Sequence, residues 1–186
     1  MSLAIAVVVG SLRRESFNRR LAEALTRHPA AAGHSFTFPD IGALPLYNQD
    51  DDANPPDAAK QLKQQIREAD AVIFVTPEYN RSIPGVLKNA IDHASRPYGQ
   101  SAWAGKPAGV MGTSPGPLGT ATAQQHLRNV LVSIGMATLD QPEAFIQWNN
   151  DIIDADGQLT GRTADLAAKW LEAFLDFAKR NLTKPI

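Results

Sequence analysis

The chain has no cysteine among its 186 residues. Disulfides, thiolate catalysis and iron–sulfur ligation are excluded together. Any redox chemistry would therefore rest on an organic cofactor. The four histidines (His28, His34, His93 and His126) are scattered and lack metal-ligand spacing. A surplus of one charge is missing too, since the formal net charge is -1. A nucleic-acid binder would ordinarily carry a basic excess. Long apolar runs are also lacking. Leu3 to Val9 and Ala69 to Val75 are the longest, and both are too short to span a bilayer. Met1 to Gly10 has neither a basic leader nor a cleavage pattern. The expected location is cytoplasmic, with no membrane or nucleic-acid partner.

What remains is an ordinary globular composition, 44% hydrophobic and 20% charged. The length fits one domain over residues 1–186 and is enough to bury a substantial core. No internal repeat or low-complexity tract is present. The acidic, proline-containing stretch from Asn48 to Asp57 reads as a surface loop.

Periodicity alternates between strand and helix. Leu3 to Val9 suits a strand covered on both faces. Ser16 offers an N-cap to a helix over Phe17 to Arg27, whose Phe17, Leu21, Ala24 and Leu25 share one face. His34 to Phe38 is a short strand, Ala58 to Glu68 a helix and Ala71 to Thr76 a buried strand. Pro84 suits a first helical position, with Val86 to Ala94 following. Pro107 to Gly112 is a fourth strand and Thr120 to Ile134 a long helix. Ala137 to Leu139 and Ala144 to Ile146 are short strand candidates before a terminal helix over Thr163 to Arg180. This alternation predicts an α/β fold: a flavodoxin-like doubly wound five-stranded parallel sheet, order 2-1-3-4-5, with helices on both faces. Its ligand site would lie at the switch between strands 1 and 3.

Three loops then meet at the carboxyl edge of that sheet. The first, Gly10 to Asn18, ends at a helix start, where unpaired amides attract a phosphate. Ser11, Arg13, Ser16 and Asn18 add polar groups. With one glycine and no lysine it is neither a nucleoside-triphosphate loop nor a dinucleotide fingerprint. The same residues would also make an ordinary helix cap. The second, Thr76 to Gly85, is stiffened by Pro77 and Pro84 and carries Glu78, Tyr79 and Asn80. There Tyr79 serves as an aromatic wall or as a packed surface side chain, and Glu78 as an edge group or as a solvated carboxylate. The third, Thr113 to Thr120, contains Ser114, Gly116 and Gly119. Its glycines would admit a flat ring closely or simply form a turn. Together the loops make a site for a mononucleotide with a planar heterocycle, which FMN fits.

The run Gly10-Ser-Leu-Arg-Arg-Glu-Ser-Phe-Asn18, then Pro77-Glu-Tyr-Asn80 and Ser82-Ile-Pro-Gly-Val-Leu-Lys-Asn-Ala-Ile-Asp92, resembles the NAD(P)H-dependent FMN reductase family. The likeness is to its quinone, chromate and azo-dye reductases and covers nearly the whole chain. It implies that Ser11, Arg13, Ser16, Phe17 and Asn18 surround the FMN phosphate and ribityl chain. It further implies that Pro77, Glu78, Tyr79 and Asn80 edge the ring, with Ser114, Gly116 and Gly119 completing the site. NADPH or NADH would supply hydride, in a ping-pong cycle ending on a small-molecule acceptor. The flavin carries the chemistry and no side chain need act as nucleophile. The family forms homodimers or homotetramers, and Arg128 and Glu143 stand where relatives join dimers into tetramers. The chain departs from the family at Arg81, often tyrosine, and at Pro117-Leu118-Gly119, where glycines often run together. Both positions lie where an acceptor would enter. Rival readings are a reductase that releases reduced flavin to a partner, a flavodoxin-like electron carrier, and a non-catalytic protein on the same fold.

Overall fold

The two uninterrupted aliphatic runs become the centre of the sheet. In the computed structural model, which describes residues 1–182, they are β1 (Ala4–Val9) and β3 (Ala71–Val75). The last four residues of the expected 1–186 domain lie outside the described residues. β1 and β3 pair in parallel, and every residue of β3 is buried. β2 (Ser35–Thr37) flanks β1, and β4 (Pro107–Ser114) flanks β3. β5 (Ala137–Thr138) completes the order β2-β1-β3-β4-β5, as expected.

The second short candidate becomes β6 (Phe145–Gln147), which also pairs with β4. Leu139 N–H donates to the Ala108 carbonyl and Trp148 N–H to the Ser114 carbonyl. Those carbonyls share parity along β4, so β5 and β6 occupy one side of it in tandem. The last position of the sheet is thus divided, and β4 runs two residues past the expected Gly112 to meet β6.

Among the described residues five α-helices cover the two faces: α1 (Phe17–Arg27), α2 (Asp57–Glu68), α3 (Gly85–Ser95), α4 (Ala121–Ser133) and α5 (Gly161–Leu182). Pro84 flanks α3 rather than opening it. One sheet face, with Ile5, Val7, Ile73, Val75 and Met111, packs on α1 and α5. The other, with Ala6, Val8, Val72, Phe74 and Val110, packs on α2, α3 and α4. Side chains buried to this degree each contribute about 1.5–3 kcal/mol. Gly109 is small for a packing reason: a Cβ there would lie 2.7 Å from both Trp170 and Phe174 of α5. Among the described residues no helix is long and apolar enough to cross a membrane.

The acidic stretch after β2 is tied down. Asp52 pairs with Arg96 at 3.2 Å, and Arg96 Nε donates to the Tyr47 hydroxyl at 2.8 Å. Asn48 caps a single helical turn, Gln49–Asp51, within it. All three candidate loops leave the carboxyl edge, after β1, β3 and β4.

Candidate functional site

The first loop is tight: Gly10 N–H donates to the Val75 carbonyl at 2.9 Å, and a Cβ on Gly10 would lie 3.0 Å from Thr76 Oγ1. Ser16 has extended backbone and caps α1, its Oγ accepting from Arg19 N–H at 3.2 Å. The Phe17 and Asn18 amides belong to the first turn and have no intrahelical acceptor. They give this end of α1 a partial positive charge. Arg13 lies 4.8 Å over the Phe17 ring. Phe17 stacks on Trp148 at 4.4 Å, and Arg20 lies 4.9 Å over the Trp148 ring. This four-member stack stiffens one wall.

Asn18 behaves differently from the expectation of a phosphate contact. Its side-chain N–H donates to the Thr113 carbonyl at 2.9 Å, and its Oδ1 accepts from Thr113 N–H at 3.0 Å. The side chain is buried and its oxygen and one N–H are both committed to β4.

The second loop folds as a hairpin tip. Tyr79 and Ser82 exchange backbone bonds at 2.9 and 3.0 Å. Between them, Asn80 and Arg81 have φ of 53° and 64°, the paired left-handed geometry of a tight hairpin turn. Asparagine tolerates that conformation, whereas arginine adopts it against a steric penalty. Glu78 Oε2 accepts from Ala123 N–H at 2.9 Å. Ala123 is in the first turn of α4, whose flanking Thr120 makes no side-chain cap. Glu78 therefore caps that helix from a distance. Ser82 Oγ lies 2.7 Å from His126 Nδ1, a second tie to α4.

In the third loop the Ser114 hydroxyl donates to the Gly119 carbonyl. Gly119 has φ of 59°, and a Cβ there would come within 2.8 Å of Ile146 N. Its small size serves the close approach of β6. A Cβ on Gly116 would meet Ser114 Oγ at 3.6 Å, an ordinary contact.

These elements enclose a cavity of about 210 Å³. All the residues singled out in the first loop line it, as do Pro77, Glu78, Tyr79 and Ser114. Asn80, Gly116 and Gly119 stand outside the lining, while Thr113 and Pro115 join it. The donor set suits a phosphorylated polyol. The Ser16 hydroxyl, two open amides and the Arg13 cation would meet an anion at one end. Thr113 Oγ1 is buried without a partner in the wall. Such a hydroxyl ordinarily finds a partner, and a polyol would supply one.

The sequence model of the NADPH-dependent FMN reductase family matches residues 3–151. The chain belongs to that family. It is 53% identical over 176 residues to a 2-hydroxy-1,4-benzoquinone reductase from Burkholderia sp, covering 95% of this chain and 94% of the relative. It is 47% identical over 178 residues to a quinone reductase from Pseudomonas putida, with 95% of each chain covered. A similar solved structure is FerB, a flavoenzyme NAD(P)H:(acceptor) oxidoreductase from Paracoccus denitrificans. It has a TM-score of 0.92 at 46% identity, covering 96% of this chain and 98% of that one.

For this member of the FMN reductase family, three features escaped the sequence reading. Thr113 follows directly from its place in the loop, once β4 is known to run on to Ser114. Trp148 stacks on Phe17 from far along the chain and leaves no local signal. The reach of Asn18 to β4 is invisible without the sheet order.

Proposed function

We propose that the protein is an FMN-dependent oxidoreductase that takes hydride from NAD(P)H and reduces quinones or similar small acceptors such as azo dyes and chromate. The observation that carries this reading is the cavity itself, with open α1 amides at one end and the Pro77–Tyr79 wall at the other. The relatives named as quinone reductases support the acceptor class. Bound FMN would supply the redox chemistry, a two-electron relay from nicotinamide to acceptor in ping-pong order.

The chain's own residues bind and orient. Ser11, Ser16, Arg13 and the Phe17 and Asn18 amides hold the phosphate. Thr113 Oγ1 meets the ribityl chain. Backbone groups from Pro77 to Asn80 edge the ring, with Ser114, Gly116 and Gly119 at its far side. Tyr79, 52% exposed, screens the mouth. Arg13 and Arg14 are exposed cations beside the cavity and suit the 2′-phosphate of NADPH. A cytoplasmic location accords with a reaction drawing on NAD(P)H.

The same reading includes a homodimer or homotetramer. Arg128 Nη1 donates to the Leu139 carbonyl at 2.6 Å, but its Nε and Nη2 are buried without an acceptor. The family likeness, in which these positions join dimers into tetramers, supports a carboxylate partner for Arg128. Glu143 of a second copy would provide it.

The test is the visible spectrum of the purified protein before and after anaerobic NADPH. Flavin bands that bleach on addition support the reading. A colourless protein that also fails to bind added FMN overturns it.

A further inference from the structure

β3 cannot continue along β4. It ends at Val75, Thr76 N–H makes the last ladder bond to the Met111 carbonyl at 3.0 Å, and the next residue is Pro77. Proline has no N–H to offer. β4 nevertheless runs on to Ser114. The next residue facing that side of β4 is Thr113, which shares parity with Met111. Its N–H and C=O would be left without a strand in a buried place.

Asn18 fills that gap. Its amide carries a donor and an acceptor side by side, as a strand backbone does, and it meets both groups of Thr113 at 2.9 and 3.0 Å. Asn18 sits in the first turn of α1, which follows β1, while β4 lies two positions away across β3. One buried side chain therefore spans the width of the cavity floor, from the first loop to the third. Thr113 in turn carries the unpartnered Oγ1 in the cavity wall.

We propose that Asn18 is a positioning residue rather than a phosphate ligand: it acts as a surrogate strand, continuing the β3–β4 ladder by one residue and so fixing the first and third loops relative to each other before any flavin binds. The role of the cavity rests on the proposed function, but the hydrogen bonds of Asn18 belong to the apoprotein.

The experiment uses apoprotein of the wild type, Asn18→Ala and Asn18→Asp. Exchange of the Thr113 amide is followed by NMR, and affinities for FMN and riboflavin are measured by fluorescence titration. Asn18→Ala should speed Thr113 exchange by about tenfold or more, as expected when a buried donor loses its partner. It should weaken FMN and riboflavin by a similar factor, since both share the disturbed floor. Asn18→Asp keeps an acceptor for Thr113 N–H and should retain most of the protection. A direct phosphate ligand predicts the reverse. FMN affinity alone would fall, riboflavin would bind as before, and Thr113 exchange would not change; that pattern overturns the proposal. If Asn18→Ala does not fold, Asn18→Ser takes its place with the same readings: faster Thr113 exchange with a parallel loss of FMN and riboflavin supports the surrogate strand, and unchanged exchange with FMN alone weakened overturns it. Failure of the wild type to bind either flavin would sink the proposed function while leaving the exchange result to judge Asn18.

Discussion

Glu78 brings a carboxylate into a cavity suited to an anion, and its position is explained by what the carboxylate does. It accepts from Ala123 N–H at the positive end of α4. A glutamine oxygen would accept the same bond, whereas alanine would leave Ala123 N–H without one. Glu78→Gln should therefore keep most of the activity, with steady-state rates as the measure. Glu78→Ala should weaken FMN by about tenfold, the loss expected for one orphaned amide. A hundredfold loss in Glu78→Gln with flavin still bound would make the carboxylate a proton donor instead. The residue types of the site were legible because each has few roles at a loop after a strand: Ser16 at a helix start, Tyr79 two residues after Pro77, Arg13 near open amides. Their partners were less legible. Asn18 and Gly119 look like ligand groups along the chain, yet both answer to strands distant in sequence, β4 and β6.

Elements differ in how openly they announce themselves. β1 and β3 are readable because both faces are covered, which leaves no polar alternation to blur the run. β4 was readable only to Gly112, because Thr113 and Ser114 run into a Pro/Gly-rich turn and are held extended by β6 and Asn18. Gly109 shows the opposite case, a weak strand former whose reason is tertiary. Trp170 and Phe174 are fully buried and stacked 5.4 Å apart, so neither gives way easily. Gly109→Ala should lower stability by about 1–3 kcal/mol, the usual effect of overpacking. Denaturant unfolding would check it, and an unchanged midpoint would mean that α5 shifts freely. The β1–β2 edge carries a pH dependence. His34 Nδ1 accepts from Leu3 N–H at 3.1 Å, which requires a neutral ring nitrogen. Burial, with Lys179 adding repulsion, holds His34 below its ordinary 6.5. As pH falls through 6.5, the unfolded ring takes up a proton that the folded one resists, so stability declines in that window. His34→Gln keeps an acceptor for Leu3. Its melting temperature should therefore vary less than the wild type's between about pH 7 and 5.

Over the whole molecule, the order 2-1-3-4-5 fits the alternation of five strands with helices and right-handed crossovers. Assembly does not follow from such patterns, since it depends on which buried groups one copy leaves unpaired. Arg128 is such a group in the folded chain. If Glu143 of a second copy receives it, Glu143→Ala should shift the protein to a smaller species in light scattering. An unchanged mass would remove Glu143 from the interface.

The brevity of the outer strands has a consequence for how copies of this chain avoid sticking together. A net charge of -1 provides little mutual repulsion. An open sheet edge can template a foreign strand and start aggregation. Here β2 offers three residues at one edge, while the other is divided between two in β5 and three in β6. The long, aliphatic strands most prone to amyloid-like pairing are confined to the interior. In this fold, short edges stand in for charge as the guard against aggregation.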